Sequence, residues 1–217
     1  FMYRYTPQIL KVIELIKNNV IGKPLSMTSS FGLNLLTKKN IFGFTKKKKI
    51  NKKNRLFSKK LGGGAILDLG CYPVSFSILI ASMISKINYD QIKVLEKSKE
   101  TNSLDVDIDS YAKLEFENGF VSKVGASFSK NLGTETIING SDGTMKIMNP
   151  WQAEPPIIIL EGKIDKIIKI GNINNIFSYE INALSKDILE GKSCPSFPGT
   201  SIDEIISGTK ILDEWLN

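Results

Sequence analysis

The chain has 217 residues, 41% hydrophobic and 24% charged, the balance of a folded soluble domain rather than a disordered chain. Histidine is absent, which excludes Ser-His-Asp and Cys-His catalytic groups built from this chain. The only two cysteines, Cys71 and Cys194, cannot supply a usual zinc ligand set, so no metal site is expected. Two cysteines also fit a reducing cytoplasm. No run of consecutive apolar residues approaches the roughly 18–20 of a membrane span, and the start, FMYRYTPQIL, has no signal-peptide pattern. A cytoplasmic protein without a membrane partner is therefore expected. The aromatic start reads as a cut within a longer chain, since a mobile polar tail is usual there.

The net charge of +7 is local. From Lys38 to Lys60 there are 11 Lys and Arg and no acid; elsewhere 18 basic residues face 22 acidic ones.

Residues 7–20 carry Ile9, Leu10, Val12, Ile13 and Ile16 at helical spacing after Pro7, with Gly22 and Pro24 as stops. Residues 25–33 read as a strand, and 37–60 as a polar, Lys-dominated loop with room for a short helix. Gly62-Gly63-Gly64 then leads through Asp68 to Cys71-Tyr72-Pro73, and Pro73–Lys86 is helix-like without a polar face, as a buried helix would be. Strands follow at 93–99 and 107–117, then Asn118-Gly119 as a hairpin signal and a return strand at 120–129. Further strands are expected at 134–139, 144–148, 156–161 and 164–170, turning at Gly140–Gly143 and Glu161–Lys163. Helices over 177–190 and 201–216 close the chain. The order predicts an α+β fold, an open antiparallel meander of five to seven strands with helices packed on one face.

Asp68 and Tyr72 are the first candidates for chemistry. At i and i+4 on a helix they share a face, and a carboxylate with a phenol can relay a proton to or from a hydroxyl. A nearby cation would lower the tyrosine pKa. The structural alternative is that the glycines form a plain loop, Asp68 caps the helix and Tyr72 fills the core. A phosphate-cradling loop is a third reading, weakened by the missing lysine after the glycines. Cys71 lacks an activating histidine and reads as a structural thiol. Asp105, Asp107 and Asp109 alternate as an exposed strand start, without the glycine and glutamate of a calcium loop. Trp151 and Trp215 read as packing residues, with Asn149-Pro150-Trp151 closing a sheet edge.

Five segments carry a resemblance that spans nearly the whole chain: MYRYTPQ, Arg55-Leu56-Phe57, LGGGAILDLGCYPV, GSDGTMKIMNPW, and YEINALSKDILEGK with ILDEW. Together they resemble the Gfo/Idh/MocA oxidoreductases, in the dihydrodiol dehydrogenase and glucose–fructose oxidoreductase branch. The resemblance implies that residues 1–217 form the C-terminal catalytic and substrate domain. It also implies an N-terminal Rossmann domain, NAD or NADP as cofactor, and hydride transfer on a sugar, polyol or diol. Tyr72 would be the acid–base residue and Asp68 its partner in placing substrate. Arg4, matching the arginine of the family's MYRY-like segment, would line the cleft and bind substrate. The sequence departs from the pattern in having no GxGxxG and no EKP lysine, and Thr6 stands where many relatives have histidine. Cofactor contacts are therefore expected to come from a missing dinucleotide-binding domain, leaving the chain inactive alone. The other class of reading is a non-catalytic dimerisation or sugar-binding module that keeps the fold. Relatives pair through the free sheet face, so an apolar open face and a homo-oligomer are expected. The Lys-rich stretch, with only Phe42, Phe44 and Phe57 interleaved and no nucleic-acid motif, reads as a solvated loop rather than a nucleic-acid site.

Overall fold

The computed structural model describes residues 1–217 except Phe42, Lys52, Asn174 and the side chain of Lys39. Phe42, one of the three interleaved aromatics, thus lies outside the described residues. An N-terminal 3-10 turn, Met2–Tyr5, runs into helix α1, Pro7–Lys17. Thr6 caps α1 with its side chain, and Pro7 needs no hydrogen-bond donor in the first turn. The helix stops before Gly22, at Asn18, where Asn19 takes a positive φ of 53°.

Strand β1, Pro24–Gly32, enters the middle of an eight-stranded sheet. A short hairpin follows in place of the expected loop, β2 (Thr37–Lys39) with β3 (Thr45–Lys47). Two 3-10 turns, Arg55–Phe57 and Lys59–Leu61, lead to a π turn at Ile66–Gly70 and helix α2, Cys71–Ile84. Pro73 explains the π turn. It has no N–H for the Leu69 carbonyl, and its ring would strike that carbonyl in a regular helix, so the chain widens just upstream.

The remaining strands are β4 (Lys93–Thr101), β5 (Asp107–Glu115), β6 (Val121–Ser127), β7 (Glu135–Gly140), β8 (Gly143–Met148), β9 (Ile157–Gly162) and β10 (Lys166–Lys169). The hairpins fall where the turn residues place them. At Asn118-Gly119 only Gly119 has positive φ (82°), so the turn is a longer loop with a left-handed glycine, not the two-residue type that needs it at both positions. The sheet order is β10-β9-β8-β7-β1-β6-β5-β4.

The sheet is mixed, mostly antiparallel: β1 separates the two meanders, antiparallel to β7 and parallel to β6 with Ser26 opposite Val121. The β6–β7 connection crosses the end of β1 through Gly133 (φ 85°), where a Cβ would meet the Ser30 carbonyl at 2.3 Å.

Helices α1, α2 and α4 (Ile202–Leu216) pack on one face, with α2 over β1 and β6; α3 (Ile176–Leu189) packs against the N-terminal 3-10 turn. The helical run Lys59–Ile84 is long and apolar enough to cross a membrane, but 78% of its most apolar window is buried in the protein. Its apolarity is thus used by the sheet, through Met27, Ala112, Leu114, Val124, Ala126 and Ile138.

The open face is mixed rather than apolar throughout. By strand alternation it presents Thr28, Lys113, Lys123, Asn139 and Lys146 together with Tyr111, Val121, Ile137, Ile157 and Ile159.

Candidate active site around Tyr72

The second residue of α2, Tyr72, stands directly after the π turn, a helix irregularity that recurs at functional sites. Its ring packs among Phe1, Tyr3, Phe31 and Trp151, with centroids 5.4, 6.1, 5.1 and 5.8 Å away. Such offset and edge-on contacts fix the ring plane. Among the described residues its hydroxyl reaches only the Met2 thioether, at 3.9 Å. Sulfur is a weak acceptor, so the phenol keeps its hydrogen-bonding capacity for another group.

Burial raises the Tyr72 pKa above its ordinary value, and the neighbouring Cys71 and Asp68 push the same way. No cation is among the main influences on the phenol. A cation is on Asp68 instead: Arg55 Nη2 donates to Asp68 Oδ1 at 2.5 Å. No hydrogen bond joins Asp68 to Tyr72 among the described residues. Arg55 is visible in the sequence as part of the RLF segment, but nothing there signals a partner 13 residues on.

The three glycines act in packing. Gly62, Gly63 and Gly64 donate their N–H groups to the carbonyls of Lys59, Ser58 and Leu56 at 3.1, 2.9 and 3.0 Å. Gly64, at φ 119°, has no room for a Cβ, which would lie 1.9 Å from Asp107 Oδ1. Asp107 is 3% exposed, contrary to the exposed strand start expected of the three acids. It accepts from Ile66 N at 2.7 Å and so caps the π turn. Burial raises its pKa despite those N–H bonds. Asp105 and Asp109 are the outward members, paired with Lys59 and Lys130.

Arg4 is 1% exposed. Its Nε donates to Ser75 Oγ (3.2 Å), Nη2 to the Ser75 carbonyl (2.7 Å), and Nη1 to the Pro198 carbonyl and Glu204 Oε2 (both 3.1 Å). Burial opposes its charge, but Tyr3 and Glu204 hold the guanidinium protonated. Glu204 is also the third residue of α4 and completes a capping box with Ser201. Arg4 thus ties the N-terminal turn, α2 and α4 together one helical turn below Tyr72. An apolar cavity of about 180 Å³ between α2 and α4 has Phe1, Arg4 and Cys71 in its wall. The Cys71 thiol is pushed up to about 11, by burial first and Asp68 second, and is a poor nucleophile.

Trp151 lies in the aromatic cluster around Tyr72 rather than at a sheet edge, since β8 is an interior strand. Its Nε1 donates to the Ser30 carbonyl at 2.8 Å. With Phe31 it also lines a cavity of about 150 Å³ shared with Asn131, Thr134, Asn149 and Gln152. Periodicity gives no sign of this wall, because its members come from three separate segments.

Residues 9–146 match the model of the GFO/IDH/MocA C-terminal domain. The chain belongs to this family. Among curated GFO/IDH/MocA relatives, the trans-1,2-dihydrobenzene-1,2-diol dehydrogenase of Danio rerio is 25% identical over 144 residues, 66% of this chain and 37% of that protein. The enzyme of the same name from Xenopus tropicalis is 23% identical over the whole chain and 60% of its own length. The D-xylose 1-dehydrogenase (NADP(+)) 2 of Haloferax volcanii is 23% identical over 71% of the chain and 41% of its own length. The chain therefore spans less than two thirds of the length of each. Among solved structures, a mutant of a 3-ketoreductase from Actinomadura kijaniata, in complex with TDP-benzene and NADP, superposes on 98% of the chain and 59% of its own with a TM-score of 0.76 at 18% identity. The aldose-aldose oxidoreductase of Caulobacter crescentus, complexed with glycerol, covers all of the chain, over 60% of its own length, with a TM-score of 0.74 at 16% identity. These structures share the α+β fold.

Proposed function

We propose that this chain is the substrate-facing part of an oxidoreductase that interconverts a hydroxyl and a carbonyl on a sugar, polyol or diol. Tyr72 exchanges the proton on the reacting oxygen. The observation that carries this reading is a phenol fixed by four aromatic rings, its hydroxyl left on a weak acceptor and its pKa raised by burial. At neutral pH such a phenol is protonated, which suits it to donate to the oxygen of a carbonyl being reduced. Asp68, anchored through one oxygen by Arg55, presents the other to a substrate hydroxyl. Arg4, with its donors committed to Ser75, Pro198 and Glu204, positions α2 and hence Tyr72.

The redox partner in this reading is NAD or NADP, and the glycine run does not fit its phosphates. The N–H groups of the glycine run are already spent on carbonyls, and the run leads into a π turn capped by Asp107. We assign dinucleotide binding to a separate unit, as the greater length of the relatives allows. The chain alone is then inactive. The same spent N–H groups favour a second reading, a sugar-binding or dimerisation module without catalysis.

The test is turnover of aldoses and diols with NADP by the chain alone and fused behind a dinucleotide-binding domain from a relative. Activity only in the fusion is expected, and Tyr72→Phe should lower it by about 10²–10⁴-fold. A fusion that binds NADP and sugar without turnover would favour the binding module. Full turnover by Tyr72→Phe would remove Tyr72 from the role.

A further inference from the structure

The segment between β1 and the π turn is unlike the rest of the molecule. Strands β2 and β3 form an isolated ribbon whose register sets Lys38 opposite Lys46 and Thr37 opposite Lys47. Like charges facing across a strand pair are destabilising unless an anion lies between or over them. Lys46, Lys47, Lys48, Lys49 and Lys53 extend the same positive surface, all exposed. Among the described residues no ion pair joins any of these six to an acid; the segment's acidic partners, Asp68 and Asp105, are taken by Arg55 and Lys59.

Beyond the lysines the ribbon ends in an apolar tip. The turn is held by Asn40, whose Oδ1 accepts from Phe44 N at 2.8 Å and whose N–H donates to the Phe44 carbonyl at 2.9 Å. At that turn Ile41 is 93% and Phe44 72% exposed. A large aliphatic residue fully in water at the end of an arm is costly unless it has somewhere apolar to go. The order along the arm is therefore core, cations, apolar tip.

We propose that this arm docks the protein on an anionic lipid bilayer. Ile41 and Phe44 enter the boundary between headgroups and acyl chains, and the lysines behind them lie at the level of the headgroup phosphates and carboxylates. One feature favours a bilayer over a nucleic acid. The cations of the ribbon are all lysine, compact charges suited to a fluid layer of headgroups, with no arginine fork to fix a backbone. The arm departs from the expectation of no membrane partner, and it neither needs nor affects the reading of Tyr72.

The experiment is co-sedimentation of the intact chain with vesicles of phosphatidylcholine, alone or with about a third phosphatidylserine, at physiological ionic strength. Binding is expected only to the anionic vesicles. Each lysine near the surface contributes about fivefold, so replacing Lys46, Lys47, Lys48 and Lys49 by glutamine should weaken it by about two to three orders of magnitude. Ile41→Ser with Phe44→Ser, which keeps every charge, should weaken it by about tenfold or more. Phe44→Trp should shift its emission to the blue and be quenched by brominated lipid. The native Trp151 and Trp215, 2% and 1% exposed, supply a constant background. Failure to bind anionic vesicles overturns the proposal. So does binding that ignores the tip substitutions and is abolished by homopolymer RNA, which would make the arm a nucleic-acid surface.

Discussion

Arg4 and Lys46 carry the same charge in opposite settings, and the contrast separates the two halves of the N-terminal region. Around Arg4 the charges are buried and matched donor to acceptor, with Glu204, Ser75 and the Pro198 carbonyl closing the set. On the β2–β3 ribbon the charges are solvated, and among the described residues no acid answers them. Buried charge holds helices in place, at a desolvation cost that only complete pairing offsets. Exposed charge of one sign adds nothing to the fold and is free to act at a distance.

The contrast is sharpest at Glu204. Glu204→Ala strands the Arg4 guanidinium in the interior and removes one arm of the α4 capping box. A loss of about 3–5 kcal/mol is expected, or roughly 6–20 °C in Tm for a chain of this size. Glu204→Gln, which can still accept a hydrogen bond, should lose less. A thermal melt of Glu204→Ala within a degree of wild type would mean that the Arg4 cluster is not built as described.

Two acids test the same idea through pH, with opposite signs. Asp187 accepts from Ser196 N (2.7 Å), Ser196 Oγ (2.7 Å) and Lys192 Nζ (2.9 Å), and these bonds lower its pKa to about 2. That lies below the value near 3.9 of an unfolded chain. Its contribution is therefore full above about pH 4 and is lost as pH falls through 2. Asp107 is shifted the other way by burial, so its ionised form is disfavoured in the fold. Its contribution is greatest below the unfolded value and declines as pH rises through the folded one. Melts from pH 2 to 7 should show the penalty of Asp187→Asn growing with pH, and Asp107→Asn gaining on wild type as pH rises. Parallel curves would remove these assignments.

The smallest effect is expected on the ribbon. Replacing Lys46, Lys47, Lys48 and Lys49 by glutamine should change stability by no more than about 0.5 kcal/mol in a denaturant titration. A larger loss would show that the lysines support the fold.

Much of this is legible in the chain. Pro7, Asn118-Gly119, Gly140–Gly143 and Gly191 mark ends and turns through local backbone chemistry, which needs no knowledge of distant residues. The apolar run after Pro73 marks a buried helix for the same reason. What escapes reading is long-range. The place of β1 between two meanders depends on strands far downstream. Whether Asp107 is buried depends on Gly64 and Ile66, 43 and 41 residues earlier. The resemblance puts Tyr72 and Asp68 on the page, but not the aromatic wall of Tyr3, Phe31 and Trp151, nor the Arg55 partner of Asp68. Arg4 shows the limit most clearly, because an arginine in a sequence looks the same whether it faces a ligand or a glutamate 200 residues away.

The placement of β1 also sets an order of events during synthesis. Its neighbours, β6 and β7, lie roughly a hundred residues downstream, so residues 24–32 leave the ribosome before either partner is made. The β4–β5–β6 meander can close on itself as soon as it is made, but the sheet can become one only when β1 is captured between two strands already formed. Strand β1 thus waits for β6 and β7 before it is enclosed, and a nascent chain paused before residue 121 exposes it to any competing edge.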